Sequence, residues 1–365
     1  MSWLGKANLC NTVAADSRSS CPPQPKEFVK TTATPRASRR RNRLAVVCVV
    51  LAASVVLSLC IGAAPSTPAD VWHAFFAPTD SAMDVTILGL RLPRTLLGIV
   101  VGGCLGLAGA LVQGHTRNPI AEPGLLGIFQ GSALAIVLVT AAGWQVNGLI
   151  MAVAAFVGAL LASVLVFAIA AAAGHGTTPI TLVLAGAAVT VLCSALVTAI
   201  VLFNEAALDT LRFWQIGSLA GRNGAIETVW PFILVGVALA LANMSSLNAL
   251  ALGEDTSRSL GVSLRRSRTV GIAAITLLAG CAVVMAGPIA FAGLIVPHLA
   301  RALVGPDYRW LFPASILCGA ALLVLADTIG RVIARPGELS AAVVLAIIGA
   351  PLFVVLARRR KLVTL

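Results

Sequence analysis

Apolar stretches as long as a membrane is thick recur along most of the chain, separated by short polar connections. A helix needs roughly 20 apolar residues to cross the ~30 Å hydrocarbon core of a bilayer. By that measure the predicted fold class is an all-α membrane protein with ten transmembrane helices. The predicted spans cover residues 44–64, 93–113, 125–143, 148–173, 180–203, 229–248, 269–286, 288–304, 310–331 and 339–357.

Polar residues dominate the start of the chain. Residues 1–43 are rich in Ser, Thr, Pro, Lys and Arg, which predicts a disordered basic cytoplasmic tail before a ten-helix domain over 44–361. An even number of spans puts both chain ends on one side of the membrane. Most Lys and Arg fall in the tail, in the closing run Arg358–Lys361 and in connections on the tail's side. The positive-inside rule therefore predicts an N-in, C-in topology in the plasma (inner) membrane.

Composition excludes several classes of protein. The chain is 58% hydrophobic and 11% charged, whereas a soluble domain is about 45–50% apolar and about 25% charged. The net charge is +12, and the basic residues that produce it flank apolar spans. This placement indicates contact with membrane lipid and not with nucleic acid. The eight Cys are widely spaced, so we expect no metal site. Since Walker A, GxSxG and HExxH motifs are absent, we expect neither an enzyme nor a covalently bound cofactor.

A weak internal repeat divides the predicted helices into two halves. Pro119-Ile120-Ala121 and Gly124-Leu125-Leu126 follow the second span, and Pro288-Ile289-Ala290 and Gly293-Leu294-Ile295 follow the seventh. The copies are five helices apart, and an odd separation reverses their direction across the bilayer. This predicts the inverted repeat of many transporters, with chance similarity in so apolar a sequence as the alternative.

Ionisable residues are almost absent from the predicted spans. Asp327 is the one acid inside a span, and Arg331, four residues later on the same helical face, is its predicted partner. Proton- or ion-coupled carriers need such groups within the membrane. The sequence therefore favours transport driven from outside this chain over an ion-coupled secondary transporter.

Small residues recur every fourth position in the second span, at Gly98, Gly102, Gly106 and Ala110. Such a stripe allows close approach of another helix and predicts packing only.

The segment after the sixth span has the pattern of a rigid helix outside the bilayer. Gly253 and Gly261 bracket a short polar run with Glu254 and Asp255 in its first turn, as the helix dipole favours. Apolar Leu252 and Leu260 flank it. We interpret this segment as a docking element for a cytoplasmic protein, with an ordinary connecting loop as the alternative.

Several motifs, in order, resemble one family. They are Arg91-Leu92-Pro93-Arg94, Gly109-Ala110-Leu111-x-Gln113, Arg117-Asn118-Pro119-x-Ala121-x-Pro123-Gly124-Leu125-Leu126-Gly127, LALGEDTSRSLGV over 250–262, GPIAFAGLIVPHLAR over 287–301 and Gly349-Ala350-Pro351. Together they resemble the membrane permeases of ABC importers for iron–siderophore complexes, haem and cobalamin. The resemblance covers residues 44–361.

The resemblance implies partners and site residues. It implies a ten-helix subunit that dimerises with a second permease, carries two ATP-hydrolysing ATPase subunits on short cytoplasmic coupling helices and receives cargo from an extracytoplasmic binding protein. The implied residues are Gly253, Glu254, Asp255, Arg258, Leu260 and Gly261 for ATPase coupling, Arg91, Arg94 and Arg331 for docking of the binding protein, and Gly186, Thr190 and Ser194 for the translocation pathway.

Two departures accompany the resemblance. Ser340 and Ala342 stand after Glu338-Leu339, where the family has Pro and Gly, and the tail is long. The predicted function is a permease for a ferric siderophore, without catalysis of its own. Cobalamin or haem import by the same family is the alternative, ahead of an ion-coupled carrier or a non-transporting scaffold.

Overall fold

Residues 36–62, 66–79, 81–144, 147–173, 178–222, 224–335 and 337–358 are described by the computed structural model. Within those ranges every regular element is helical. The predicted tail lies outside the described residues as far as residue 35. The first helix begins at Arg36, ahead of the predicted boundary at residue 44.

Fourteen α-helices occur in the described part of the chain. In chain order they are α1 (Arg36–Cys60), α2 (Pro68–Phe76), α3 (Ala82–Asp84), α4 (Leu92–Thr116), α5 (Ile128–Ala141), α6 (Gly148–Ala172), α7 (Pro179–Phe203), α8 (Glu205–Gln215), α9 (Ala225–Leu250), α10 (Glu254–Ser259), α11 (Leu264–Ala286), α12 (Ala292–Val304), α13 (Tyr308–Ile333) and α14 (Ala341–Arg358). A π-helical stretch, Val85–Arg91, joins α3 to α4, and a 3₁₀ turn, Pro123–Leu126, precedes α5.

Seven of the described helices are long and apolar enough to cross a membrane. They contain α1, α4, α6, α7, α9, α11 and α13. The other three predicted spans form the shorter apolar helices Ile128–Ala141, Ala292–Val304 and Ala341–Val355. A helix rises 1.5 Å per residue, so α5 and α12 are only about 20 Å long. The all-helical membrane fold is confirmed, whereas the count of ten crossings stays a prediction.

Helix α4 lies at the centre of the bundle and packs against α13 through glycine. A Cβ at Gly102 would collide with the Gly319 carbonyl, and one at Gly106 would collide with the Ser315 carbonyl. The predicted small-residue stripe is thus confirmed as a packing surface. Since Gly98 faces Val324 whereas Gly106 faces Ser315, the two helices run in opposite directions.

Helices α4 and α11, which precede the two repeat copies, are antiparallel. His115 near the end of α4 contacts Gly271 near the start of α11. Opposite directions are what an inverted repeat requires. The copies also meet, because the backbone N–H of Phe291 donates to Glu122 Oε1 at 2.6 Å. These residues stand at equivalent positions, each directly after its Pro-Ile-Ala.

The bundle has two ends that we name by their residues. The "α10 end" holds α10 with the end of α4 and the start of α11, and the "Arg91 end" holds the start of α4 and the end of α13. Arg43 of α1 donates to the Leu303 carbonyl at the α10 end, and Ser58 bonds Thr95 at the Arg91 end. Helix α14 starts at the Arg91 end, where Ser340 donates to the Ile216 carbonyl. Helix α1 therefore begins at the α10 end, and α14 runs from the Arg91 end toward the α10 end.

Candidate functional site

Helix α10 is held between two glycines in conformations that L side chains rarely adopt. Gly253 has φ +112° and Gly261 has φ +80°. Without a Cβ, both residues reach these angles without steric cost. The prediction that two glycines bracket a short helix here is confirmed.

Apolar and acidic groups of the α10 segment face outward. Leu252 and Leu260 are 65% and 62% exposed, and the side chain of Asp255 is almost fully exposed. Ser257 faces inward, where its hydroxyl donates to the Gly253 carbonyl at 2.6 Å. The segment thus presents two leucines and a carboxylate on a rigid turn, a surface suited to a protein partner.

Two kinds of ion pair involve α10. Arg258 lies 3.5 Å from Asp255 and 3.8 Å from Glu254, and these contacts stay within the helix and are exposed. Glu254 also accepts a hydrogen bond from Arg268 Nη2 of α11 at 2.7 Å. Arg268 is buried, so this second pair connects α10 to the bundle.

A cavity of about 270 Å³ lies directly behind α10. Its lining includes Arg117, Leu252, Arg301 and Tyr308. Arg117, in the left-handed conformation with φ +49°, donates to the Leu250 carbonyl at 3.1 Å. This hydrogen bond therefore joins the end of α9 to the end of α4, next to the α10 segment.

The junction of the repeat copies is a polar site that the sequence reasoning did not assign. Gln113 Nε2 donates to the carbonyls of Ala121, Gly293 and Leu294 at 3.2–3.3 Å, and Arg301 donates to Gln113 Oε1. One buried amide thus bonds both copies. The sequence alone connects Gln113 only to the family resemblance, because its hydrogen-bond partners lie up to 188 residues away along the chain.

Glu122 completes this junction from the turn between α4 and α5. Burial raises the pKa of its carboxyl to about 7, and the hydrogen bond from Phe291 opposes that effect. Phe291 itself has φ +66°, so the acceptor holds a backbone conformation that is unfavourable for a phenylalanine.

At the opposite end of the bundle, Arg94 and Asp327 form a bidentate pair. Arg94 Nε and Nη2 donate to the two carboxylate oxygens of Asp327 at 2.9–3.1 Å. Arg94 Nη1 donates to Glu338 at 2.6 Å, and the side chain of Glu338 is half-exposed. Only this outer edge of the guanidinium group meets an accessible carboxylate.

Arg331 lies on the other side of Asp327. Its Nε is 3.3 Å from Asp327 Oδ2, which confirms the predicted partner. Its Nη1 and Nη2 donate to the carbonyl and hydroxyl of Ser58 on α1. One acid and two arginines thus join α1, α4 and α13.

Arg91 is also turned inward. Its Nη1 donates to the Leu59 carbonyl at 2.7 Å and to the Ser66 hydroxyl at 2.6 Å. Arg91 and Arg331 are only 5% and 2% exposed. The docking role of the three arginines stays a prediction, and it would require these groups to exchange partners within the chain.

The predicted pathway residues lie along α7. Gly186 packs against the backbone of Leu125, whereas Thr190 and Ser194 are half-buried. The adjacent face carries large exposed apolar residues, among them Leu184 and Val191. Gly186 therefore allows the 3₁₀ turn to approach α7, and the pathway role stays a prediction.

In the part of the chain that the structure describes, no three or more His, Cys, Asp or Glu side chains are grouped so that they could hold a metal ion.

Comparison with known proteins identifies close relatives. A model described as the FecCD transport family matches residues 50–359. The ferric enterobactin transport system permease protein FepD of Escherichia coli (strain K12) is 46% identical over 313 residues, which cover 85% of this chain and 93% of FepD. The cobalamin import system permease protein BtuC of Halobacterium salinarum is 39% identical over 295 residues, 79% of this chain and 78% of BtuC.

A solved structure has the same fold. It is a metal-chelate type ABC transporter in an inward-facing conformation, 30% identical to this chain, with a TM-score of 0.71. The match covers 87% of this chain and 99% of the other.

Proposed function

The chain belongs to the FecCD transport family and is the permease component of an ABC importer in the inner membrane, and from this premise we propose that its cargo is a ferric siderophore. The family is one of transport permeases and not of enzymes. The observation that carries the proposal is the 46% identity to a permease named for ferric enterobactin, over nearly all of that protein's length.

ATP hydrolysis by separate subunits powers the proposed transport. Permeases of this family work with ATPase subunits and a binding protein. We assign two ATPases and a second copy of a permease to the complex, with α10 as the coupling helix. Its exposed leucines and its glycine-bracketed geometry support this assignment. We assign no covalently bound cofactor to the permease, and ATP is consumed by its partner ATPase subunits.

The binding protein is assigned to the Arg91 end, opposite α10. Arg94 supports the assignment, because its outward Nη1 already holds an accessible carboxylate, that of Glu338. An acidic side chain of the binding protein would replace Glu338 there. Cargo would then pass along α7 near Thr190 and Ser194, whose small polar side chains suit a bulky ligand.

Reconstitution tests the cargo. The permease is placed in liposomes with the ATPase and binding protein of its own transport system, and uptake of radiolabelled ferric siderophore, cobalamin and haem is compared. We expect ATP-dependent accumulation of the siderophore only. Accumulation of cobalamin or haem instead would overturn the cargo, and accumulation without the ATPase would overturn the mechanism.

A further inference from the structure

The attachment of α10 to the rest of the bundle is sparse. Among the described residues, the Glu254–Arg268 pair is the only side-chain hydrogen bond or ion pair that joins α10 to another helix. The other bonds from its side chains, from Ser257, Arg258 and Ser259, return to the same segment. Apart from the packing of α10 against α9 and α11, the pair is therefore the side-chain link through which a displacement of α10 reaches another helix.

A glycine lies at each backbone connection of α10. Gly253 before the helix and Gly261 after it have positive φ angles and no Cβ, so their backbone angles change with little steric resistance. No side-chain atom lies within 3.4 Å of the position that a Cβ would take at either glycine. At these two residues the chain is held by backbone hydrogen bonds, from the Gly253 N–H to the Leu250 carbonyl and from the Gly261 N–H to the Arg258 carbonyl.

Arg268 is placed to transmit force well. It is 8% exposed, whereas the side chain of Glu254 is 30% exposed, so water and salt screen their attraction less than that of the more exposed pairs within α10. The adjacent Ser267 donates to Asn243 Oδ1 of α9 at 2.8 Å, and Asn243 Nδ2 donates to His115 Nε2 of α4 at 2.8 Å. Arg268 thus lies beside a buried polar network that joins α11 to α9 and α4.

The structure assigns to Glu254 and Arg268 the link that passes movement of α10 to α11 and, through Ser267, Asn243 and His115, to α9 and α4. The assignment rests on the proposed function in one respect, namely that an ATPase binds α10. Both are positioning residues, since neither contacts ATP or cargo. Arg265 offers an internal comparison, because it is an arginine of the same helix, three residues before Arg268, but its side chain is exposed.

The test uses the full complex in liposomes with four variants. Glu254→Gln and Arg268→Gln each remove one charge, the double variant Glu254→Arg/Arg268→Glu exchanges the charges, and Arg265→Gln is the matched control. Three quantities are measured: recovery of the permease with its ATPase, cargo moved per ATP hydrolysed, and the factor by which the loaded binding protein stimulates ATP hydrolysis.

We expect both single variants to retain the ATPase but to move about ten-fold less cargo per ATP, the factor produced by losing one charge-assisted hydrogen bond. Stimulation by the binding protein should fall with it. The charge exchange should restore at least half of both quantities, and Arg265→Gln should leave them unchanged.

Unaltered coupling in Glu254→Gln would overturn the link, and so would an equal loss in Arg265→Gln. If a single variant does not yield a folded complex, the charge-exchange variant provides the test. A charge-exchange complex that folds but stays uncoupled would also overturn the link. A wrong cargo gives a different result. The wild-type complex would then move no siderophore. The link would still be tested by measuring how strongly the binding protein, loaded with cobalamin or haem, stimulates ATP hydrolysis in each variant.

Discussion

Asp327 lies between two arginines and supplies a negative charge to both of them inside the bundle. It binds Arg94 in bidentate fashion and lies 3.3 Å from Arg331. Burying a charge is costly unless it is paired and hydrogen-bonded. The arrangement pairs these charges with residues from two helices, and Ser58 of α1 and Thr328 of α13 accept hydrogen bonds from Arg331 Nη1 and Nη2.

Replacing Asp327 with Asn should destabilise the protein strongly. The isosteric amide leaves the buried Arg331 without its counter-charge and removes the bidentate partner of Arg94, a loss of about 3–5 kcal/mol. Thermal or denaturant unfolding of the purified permease in detergent measures the change. The matched control is Glu338→Gln, which removes an accessible partner of Arg94 and should cost less than about 1 kcal/mol. Equal effects of the two variants would contradict a structural role for the buried pair.

Glu122 should make stability depend on pH. Burial raises its pKa to about 7, above the value of about 4.3 for an unfolded Glu. The folded protein therefore holds the proton more tightly, and this contribution to stability is complete below pH 4 and is lost as pH rises toward 7. Partial exposure limits the loss to at most about 3 kcal/mol.

The Glu122→Gln variant isolates that contribution. Its amide carries no charge and still accepts from Phe291, so its stability should change less between pH 5 and pH 8 than that of the wild type. The measurement is the unfolding midpoint of both proteins in detergent across this range. Parallel pH profiles would show that Glu122 ionises without penalty.

At the scale of elements, α4 and α13 pack with their backbones in contact. Gly102 faces Gly319, and Gly106 faces the Ser315 carbonyl. Small residues on both helices allow backbone contact over several turns, and dispersion contacts there replace the hydrophobic effect that is absent between helices in lipid.

A valine at Gly102 should force α4 and α13 apart. Its Cβ would occupy the place of the Gly319 carbonyl, and overpacking of this kind costs about 1–3 kcal/mol or more. The same substitution at Gly148, where a Cβ meets nothing within 4 Å, is the control. The unfolding midpoint and the yield of monodisperse protein in detergent are compared. A tolerated Gly102→Val would mean that the two helices are not held at this distance.

Sequence patterns predict these elements to different degrees. Long apolar runs and small-residue spacing are local, so the long helices, the glycine stripe and α10 could all be predicted. Left-handed residues such as Gly127 and Phe291, which shorten two helices, are conformations that apolar content does not encode. The partners of Arg94 and Gln113 lie 233 and 180 residues away, and one sequence carries no record of such contacts.

At the scale of the whole molecule, the bundle separates two polar ends. The α10 end carries Arg258 with Arg265 and Arg266, all exposed. The opposite end carries Asp209, Arg212 and Glu338, with both signs of charge near the surface. Movement at one end can change access at the other only if the helices between them move as rigid bodies, as the antiparallel packing of α4 with α11 and α13 allows.

The N-in, C-in topology predicts which end faces the cytoplasm. The excess of arginine at the α10 end places that end inside by the positive-inside rule. Single cysteines are introduced at Ser259 of α10 and at Arg212 of α8, both exposed, in a background whose native cysteines are replaced by alanine. We expect a membrane-impermeant maleimide to label Ser259→Cys in inside-out vesicles only and Arg212→Cys in right-side-out vesicles only. Solubilised protein, in which both sites should react, is the control. Labelling of both from one side would mean that an even number of crossings separates them, which is incompatible with assigning α10 to the ATPase and the Arg91 end to the binding protein.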